Sequence, residues 1–304
     1  ILEFWPKRLS VILLSDCITD SPIIIDESIS QLEYLNSLLR DKLSSNYNKP
    51  CLFLDIDGTL SDFQLNPIDS YIPTKTLNIL RQIISKKIPV IAVTGRDIDS
   101  ARKLFESLDL PIAALHGLEI YLGNEKELRT PKGFLEISHI HKILARACIA
   151  YPSLLIENKK SSIALHYRKA PELEDIAKKI ILEGQKIFPN LRLIQGKFVY
   201  ELIPAQANKG LAIKEVLAHL NQYEVYTPIF IGDDVTDEDG FYFVNQLEDG
   251  ISIKVGQGLT HAKYQLKDTK QVYDFLELFL DHIRNHDNNF KGNNNLDGEK
   301  TCLN

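Results

Sequence analysis

The stretch CLFLDIDGTL, residues 51–60, decides the fold of this chain. Its apolar start, residues 51–54, predicts a strand that is buried on both faces, as strands of parallel sheets are. The strand ends in Asp55 and Asp57, which point to the same side of an extended chain. Two like charges beside a buried core are costly unless a cation or a chemical task compensates them. A solvated Asp-x-Asp-Gly turn is the alternative interpretation, and the rest of the chain decides between the two.

Composition places the chain among ordinary globular proteins, with 304 residues of which 44% are hydrophobic and 25% charged. This length suits one large domain or two modest ones. The net charge of −6 argues against a nucleic-acid or anionic-membrane partner, so local positive groups must hold any anionic ligand. No apolar run approaches the roughly 20 residues that a membrane-spanning helix needs.

The four cysteines are scattered without paired spacing, which favours reduced thiols and predicts a cytoplasmic protein. Residues 7–17 superficially resemble a secretion or lipidation signal. Their apolar part is short, and Asp16 stands where a small residue is required, so we expect no signal there.

Strands and helices alternate on either side of the key stretch. We predict a helix over 28–43, within an amino-terminal helical extension at 1–48 that packs on the core. Further on, the pattern predicts helices over 74–87 and 98–108, the latter capped by Asp97, and strands over 90–93 and 112–115. This alternation indicates an α/β, Rossmann-like parallel sheet with right-handed crossovers.

Ligands of such sheets bind beyond the carboxyl ends of the strands. Asp55, Asp57, Thr94 and His116 all follow predicted strands directly. We therefore expect these side chains to share one edge of the sheet.

Between residues 123 and 205 the pattern changes to two helices, 134–150 and 171–188, and two strand pairs. The pairs are 154–156 with 162–168 and 191–194 with 197–203. We predict that this segment is an inserted α+β cap. The core then comprises 49–122 and 206–284, and the polar tail at 285–304 is predicted to be disordered.

Side chains alternate along the cap strands, so that each strand has one polar face. His166 and Arg168 share one face of their predicted strand, and Lys197 and Glu201 share one face of theirs. An ordinary solvated sheet face would show the same alternation. A functional cap would turn this face toward the core and hold a polar ligand.

A lysine opens the helix to which the chain returns after the cap. Asn208 is the predicted cap of this helix, and Lys209 stands in its first turn, where a cation opposes the helix dipole. Phosphate binding would explain that position, and a long surface lysine is the alternative.

An acidic segment, GDDVTDED at 232–239, follows the predicted strand 229–231. Asp237 and Glu238 suit the start of a helix, where carboxylates favour the dipole. Asp233 and Asp234 lie between strand and helix and do not need that role.

Together these segments predict a phosphoryl-transfer site, which needs a divalent cation and fixed positive groups because a phosphate monoester is anionic. Asp55 is the predicted nucleophile, forming an aspartyl-phosphate. Asp57 would protonate the leaving oxygen and then activate water.

Mg²⁺ favours hard oxygen ligands, and Asp55, the main-chain carbonyl of Asp57 and Asp233 could supply them. Asp234 and Asp237 would orient these ligands. Thr94 and Lys209 would hold the phosphate oxygens.

The motif at 55–60, Thr94, Lys209 and the Gly232-Asp233-Asp234…Asp237 cluster, in this order, resemble the four motifs of haloacid-dehalogenase-like (HAD) phosphatases. More narrowly, the chain resembles the trehalose-6-phosphate phosphatase family over about residues 49–279. That resemblance is carried by VTGR at 93–96, LHGLE at 115–119, ALHYR at 164–168, GKFVYELIP at 196–204 and GDDVTDE at 232–238.

The resemblance implies Mg²⁺-dependent hydrolysis of trehalose 6-phosphate to trehalose and phosphate under a closing cap, and a trehalose-6-phosphate synthase as a partner in the same pathway. Carried over by position, the cap residues that contact glucose hydroxyls are Lys159, His166, Arg168, Lys197 and Glu201. The matching substrate-binding positions of the core are Gly58, Thr59, Thr94, Gly95, Arg96, His116, Glu119 and Lys209.

Three alternatives remain at this point. A related phosphatase, for sucrose, mannosyl-glycerate or glucosyl-glycerate phosphates, would share the core and differ in the cap. A phosphomutase would share the core but release no phosphate. A non-catalytic sugar-phosphate sensor is disfavoured because every catalytic position is filled.

Overall fold

A computed structural model describes residues 31–44, 49–64, 67–123, 127–129, 135–159, 162–196 and 198–294. Its strands are β1 (Lys49–Leu54), β2 (Val90–Val93), β3 (Ile112–Ala114), β4 (Glu119–Tyr121), β5 (Glu127–Arg129), β6 (Leu155–Asn158), β7 (Ile163–His166), β8 (Leu191–Gly196), β9 (Val199–Pro204), β10 (Tyr226–Gly232), β11 (Ile251–Val255) and β12 (Tyr264–Leu266). Its helices are α1 (Gln31–Ser44), α2 (Thr74–Ser85), α3 (Ile98–Leu104), α4 (Leu135–Cys148), α5 (Glu174–Ile187), α6 (Lys209–Leu220), α7 (Glu238–Asn245) and α8 (Thr269–Asn294).

The main sheet has the strand order β12-β11-β10-β1-β2-β3-β4-β5. Strand β1 lies near its middle and pairs in parallel with β10 and β2. Strands β4 and β5 join antiparallel at one edge. The predicted parallel sheet around residues 51–54 is confirmed.

Both faces of β1 are buried, because helices cover the sheet on two sides. Leu52 and Leu54 pack in one apolar layer with α1, α2, α3 and α8, whereas Cys51 and Phe53 pack in the other with α6 and α7. All four side chains are fully buried. This is the arrangement that an unbroken apolar run predicts.

Helix α1 belongs to the core. Leu35 and Leu39 are buried, and the ring of Tyr34 lies 5.8 Å from that of Tyr264 on β12. Helix α1 thus packs on the core through Leu35 and Leu39, while the predicted extension at 1–48 stays a prediction beyond the described residues.

A second, antiparallel sheet has the order β6-β7-β9-β8 and is covered by α4 and α5. Ile163, Leu165 and Tyr167 are buried against these helices, whereas His166 and Arg168 are only half-buried on the other face. The predicted α+β unit and its polar face are therefore present.

Two predicted boundaries need correction. Strand β5 pairs with β4, so the chain stays in the main sheet beyond residue 123, up to Arg129. The last helix continues to Asn294, so disorder from residue 285 was wrong for 285–294, while 295–304 lie outside the described residues. Within the described part of the chain, no helix has the length and apolar character that crossing a bilayer requires.

Candidate active site

The site lies at the carboxyl ends of three adjacent strands, β2, β1 and β10. Parallel pairing sets Leu54 beside Ala92 on one side and beside Ile231 on the other. The residues that follow these strands therefore meet at one edge of the sheet, as the sequence predicts.

Three carboxylates from distant parts of the sequence converge there. Asp55, Asp233 and Asp237 each place a carboxylate oxygen within 4.8 Å of the others, so the group could hold a metal ion. Asp233 Oδ1 is buried and has no hydrogen-bond partner among the described residues. A buried oxygen without a donor fits a cation ligand better than a structural acceptor.

Gly58 provides the space for this cluster. It has a φ of +84°, and a Cβ built on it would lie 2.0 Å from Asp233 Oδ2. A side chain at this position would therefore displace the Asp233 carboxylate, and the strained backbone would disfavour it as well. The resemblance assigned Gly58 to substrate binding, and the structure gives it this additional role.

The carboxylates hold more negative charge than their surroundings compensate. Burial raises the pKa of Asp55 well above its ordinary value, and Asp237 and Asp233 raise it further while Lys209 opposes them. Burial, together with Asp237 and Asp234, raises the pKa of Asp233 to about 7. A divalent cation would relieve this repulsion by adding positive charge between the oxygens.

Lys209 is the buried cation of the site. Its side chain is 2% exposed, and Nζ lies 3.0 Å from Asp55 Oδ1 and 2.7 Å from Asp237 Oδ1. Burial alone would lower the pKa of Lys209, but Asp237 and Asp55 raise it above the ordinary lysine value, so the side chain is charged. The surface-lysine interpretation is thus wrong. Asn208 caps the helix as predicted, accepting a hydrogen bond from Leu211 N at 2.8 Å.

Asp237 orients the acidic segment. Its Oδ2 accepts hydrogen bonds from the backbone N–H groups of Asp233, at 3.1 Å, and Asp234, at 2.9 Å, while Oδ1 faces Lys209. Asp234 caps the short turn that follows, and burial raises its pKa. These contacts support the predicted orienting roles of both residues, which stay predictions with respect to a metal.

Lys254 contacts the site and was missed by the sequence analysis. It is buried at the end of β11 and donates a hydrogen bond to the main-chain carbonyl of Asp233. Its position near the carboxyl end of β11 was the available signal.

Asp57 lies apart from the three-carboxylate cluster and is held by donors from two other segments. Arg96 makes a two-point contact, with Nε 2.6 Å from Oδ2 and Nη2 2.6 Å from Oδ1. Ser70 Oγ donates to Oδ1 at 3.0 Å. Arg96, which the resemblance assigned to substrate, therefore has the Asp57 side chain as a partner. The main-chain carbonyl of Asp57 stays a predicted metal ligand.

Two predicted phosphate or substrate groups are buried with unused hydrogen-bonding capacity. Thr59 Oγ1 and His116 Nδ1 have no hydrogen-bond partner within the described ranges. Thr94 is also buried, and its Oγ1 accepts from the N–H of Arg96 at 3.1 Å. Buried polar atoms of this kind are typical of sites that a ligand completes.

His116 is held in an unusual conformation. Its φ is 55°, and that of Leu115 is 49°, both in the left-handed region that few side chains adopt. A Cβ on Gly95 would lie 2.6 Å from the His116 ring, so Gly95 allows this approach. Burial lowers the pKa of His116 to about 3, which leaves the imidazole neutral at physiological pH.

The polar face of the cap carries two acid–base pairs. Lys159 Nζ lies 3.1 Å from Glu201 Oε2, and Ser162 Oγ donates to Glu201 Oε1. His166 Nε2 lies 2.9 Å from Glu157 Oε2. Glu157 was missed by the sequence analysis. It stands opposite Ala164, which in turn faces Glu201, so the strand register places it on the same face.

Cap and core interact electrostatically. Glu201 raises the pKa of His116, although burial dominates, and Asp57 contributes to raising that of Lys159. The polar face of the cap therefore lies over the strand ends of the core.

Two arginines of the cap also make direct contacts with the core. The Arg168 guanidinium lies 5.1 Å from the centre of the Phe63 ring, on the segment that follows the DIDGT turn. Arg192 of β8 contacts Asp239 Oδ2 at 2.9 Å and donates to the Ala207 carbonyl at 2.6 Å.

Other predicted residues are less defined. Glu119 begins β4, opposite Ala114 in the sheet ladder. Lys197 lies outside the described residues. The predicted sugar contacts of both stay predictions.

A parallel sheet with an antiparallel cap above it is a fold that is also found among solved structures. A haloacid dehalogenase-like hydrolase from Bacteroides thetaiotaomicron shares this fold with a TM-score of 0.55 and 14% identity, over 75% of this chain and 98% of that one.

The family follows from the sequence comparison. A family model described as trehalose-phosphatase matches residues 53–273, and the chain belongs to this family of phosphoric monoester hydrolases. Trehalose-6-phosphate phosphatase of Escherichia coli (strain K12) is 32% identical over 246 residues, covering 78% of this chain and 88% of the relative.

A solved structure has the same fold. The C-terminal domain of C. albicans trehalose-6-phosphate phosphatase superposes with a TM-score of 0.72 and 22% identity, covering 81% of this chain and 96% of that domain.

Proposed function

We propose that this chain hydrolyses trehalose 6-phosphate to trehalose and phosphate, with Asp55 as the nucleophile and Mg²⁺ as the cofactor. One observation carries the proposal. The Asp55–Asp233–Asp237 cluster and the buried Lys209 lie together at the strand ends, under a cap face whose side chains suit sugar hydroxyls.

Asp55 and Asp233, with the main-chain carbonyl of Asp57, are the proposed ligands of Mg²⁺. The fit rests on the unpartnered Asp233 Oδ1 and on a donor set made of hard oxygens. When bound, the ion neutralises charge that the phosphate oxygens and the nucleophile would otherwise bring together.

Asp55 attacks phosphorus in the first half of the proposed reaction. The P–O bond to the sugar breaks as the Asp55 oxygen–phosphorus bond forms, and the leaving sugar oxygen takes a proton from Asp57. Lys209, Thr59 and Thr94 hold the phosphate oxygens, which keeps the anion beside the carboxylate that attacks it.

Water completes the reaction. Asp57 takes a proton from a water molecule, which attacks the aspartyl-phosphate and releases phosphate and the free Asp55 carboxylate. The same residue thus serves as the general acid in the first step and as the general base in the second.

The cap supplies sugar recognition in this proposal. Lys159, Glu201, His166, Arg168 and Lys197 are the proposed contacts to glucose hydroxyls. A buried site built to hydrogen-bond hydroxyls strongly disfavours ligands that leave its polar groups unpaired. The Lys159–Glu201 and His166–Glu157 pairs lie on one face and can bind the hydroxyls of a sugar. This arrangement favours trehalose 6-phosphate over a small phosphate monoester, which has no sugar hydroxyls.

Phosphate release from a panel of substrates tests the function. The panel comprises the 6-phosphates of trehalose and sucrose and the phosphates of glucosyl- and mannosyl-glycerate, each with Mg²⁺ and with a chelator. We expect kcat/KM for trehalose 6-phosphate to exceed the others by about a hundredfold or more, and the chelator to abolish release.

The alternatives give distinct results. Comparable rates across the panel would overturn the substrate assignment. Bisphosphate-dependent isomerisation without phosphate release would indicate a mutase, and binding without release would indicate a sensor. A cytoplasmic location and a synthase partner remain predictions of the sequence alone.

A further inference from the structure

Ser70 contacts the proposed acid–base residue although it belongs to none of the recognised motifs. Its Oγ donates to Asp57 Oδ1 at 3.0 Å, and the residue is 6% exposed. It lies directly after the short helical turn Pro67–Asp69, on the segment between the DIDGT turn and α2. A buried serine hydroxyl that donates to a carboxylate contributes a hydrogen bond as well as packing.

The donors around Asp57 occupy its two oxygens unequally. Oδ1 accepts from both Ser70 and Arg96, whereas Oδ2 accepts from Arg96 only. A carboxylate has about four lone-pair positions, two on each oxygen. Among the described residues, Oδ1 is therefore fully used and Oδ2 keeps one position for a ligand.

The two donors also come from different parts of the fold. Arg96 follows β2, while Ser70 approaches from the segment after β1. A two-point arginine contact sets the plane of a carboxylate. A third donor from another segment opposes a swing of the carboxylate out of that plane.

We propose that Ser70 is a positioning residue that fixes the Asp57 carboxylate so that Oδ2 faces the substrate's leaving oxygen. This inference rests on the proposed role of Asp57. Positioning of a proton-transfer group within a few tenths of an ångström matters because proton transfer needs hydrogen-bond geometry.

The test uses leaving groups of different quality. A sugar oxygen must be protonated as it leaves, whereas 4-nitrophenolate leaves without a proton. Values of kcat/KM are compared because they report the step in which the leaving group departs, before the aspartyl-phosphate is hydrolysed.

For Ser70→Ala, we expect kcat/KM with trehalose 6-phosphate to fall about tenfold, which corresponds to the loss of one hydrogen bond to a charged group. With 4-nitrophenyl phosphate we expect a change of less than about twofold, because protonation is not needed there. Ser85→Ala, at an exposed hydroxyl that donates to a main-chain carbonyl, is the matched control and should change neither.

An equal loss with both substrates would show a merely structural role and overturn the proposal, as would an unchanged rate with the sugar phosphate. Failure of the proposed function is separate. If the unsubstituted chain released phosphate from another sugar phosphate instead of trehalose 6-phosphate, the same two-substrate comparison would be made with that sugar.

Discussion

The core site and the polar face of the cap differ in how far their acidic side chains are paired with basic ones. In the core, Asp55, Asp233 and Asp237 lie close together, Lys209 pairs with Asp55 and Asp237, and the pKa values of Asp55 and Asp233 are raised, chiefly by burial. In the cap, Glu201 lies against Lys159 and Glu157 lies against His166, so each of these two acids has a basic partner.

The pKa values of the cap acids show the same contrast. Burial would raise the pKa of Glu201, but Lys159 lowers it below its ordinary value, and the hydrogen bond to His166 lowers that of Glu157. The core therefore has negative charge left for a cation, whereas the two cap acids are paired with bases and can accept hydrogen bonds. A site that binds a metal and a phosphate requires excess negative charge for the cation, whereas a site that binds a neutral sugar requires hydrogen-bonding groups without excess charge.

Removal of the nucleophile should have the largest effect. Asp55→Asn keeps the shape of the side chain but cannot form the aspartyl-phosphate, so we expect turnover to fall by about 10⁴-fold or more. Steady-state phosphate release measures this, and circular dichroism checks that the fold is intact. Retained turnover would refute the nucleophile assignment.

Loss of the Lys159–Glu201 ion pair of the cap should weaken substrate binding more than it slows the chemical step. Glu201→Gln leaves Lys159 without its partner, and we expect KM for trehalose 6-phosphate to rise about ten- to a hundredfold with a smaller change in kcat. Glu172→Gln, at an exposed position of the same cap, is the control. A fall in kcat alone would contradict a recognition role.

Metal affinity should depend on pH through Asp233. Its pKa of about 7 in the folded, metal-free protein lies above the ordinary carboxyl value, so stability is lost as the pH rises from the ordinary carboxyl range to about 7. Below that pH the cation must displace a proton, and its apparent affinity should fall by up to about tenfold per pH unit.

This prediction is measured as the rise in melting temperature that a fixed Mg²⁺ concentration causes at about pH 6 and about pH 8. We expect the larger rise at the higher pH, and Asp233→Asn should reduce the difference. An equal rise at both pH values would show that Asp233 is not a ligand.

The contact between core and cap should have the smallest effect. The Phe63 ring is 56% exposed and faces Arg168, and an exposed cation–π contact is worth about 0.5–1 kcal/mol. For Phe63→Leu we expect KM to rise about two- to fivefold because the cap is held over the site less often. Phe63→Tyr keeps the ring, and an equal effect of both variants would rule out the ring contact.

The core site could be predicted from sequence because parallel strands bring their carboxyl ends to one edge. The order of β1, β2 and β10 then places Asp55, Thr94 and Asp233 together, independently of the conformation of the connecting loops. The polar cap face was predicted for the same reason, since alternation along a strand fixes which side chains share a face.

Contacts that depend on tertiary register could not be predicted. Ser70 and Lys254 reach Asp57 and Asp233 across the fold, and Glu157 meets His166 only through the pairing of β6 with β7. The end of α8 was missed as well, because a polar segment read by composition alone does not distinguish a continuing helix from a disordered tail.

The central claim is that the core catalyses phosphate hydrolysis and the cap recognises the sugar. It is tested most directly by kcat/KM for two variants on two substrates, trehalose 6-phosphate and 4-nitrophenyl phosphate. We predict that Asp233→Asn lowers both values severely, whereas Glu201→Gln lowers only the value for the sugar phosphate. Equal losses on both substrates for Glu201→Gln, or full activity of Asp233→Asn, would contradict the account.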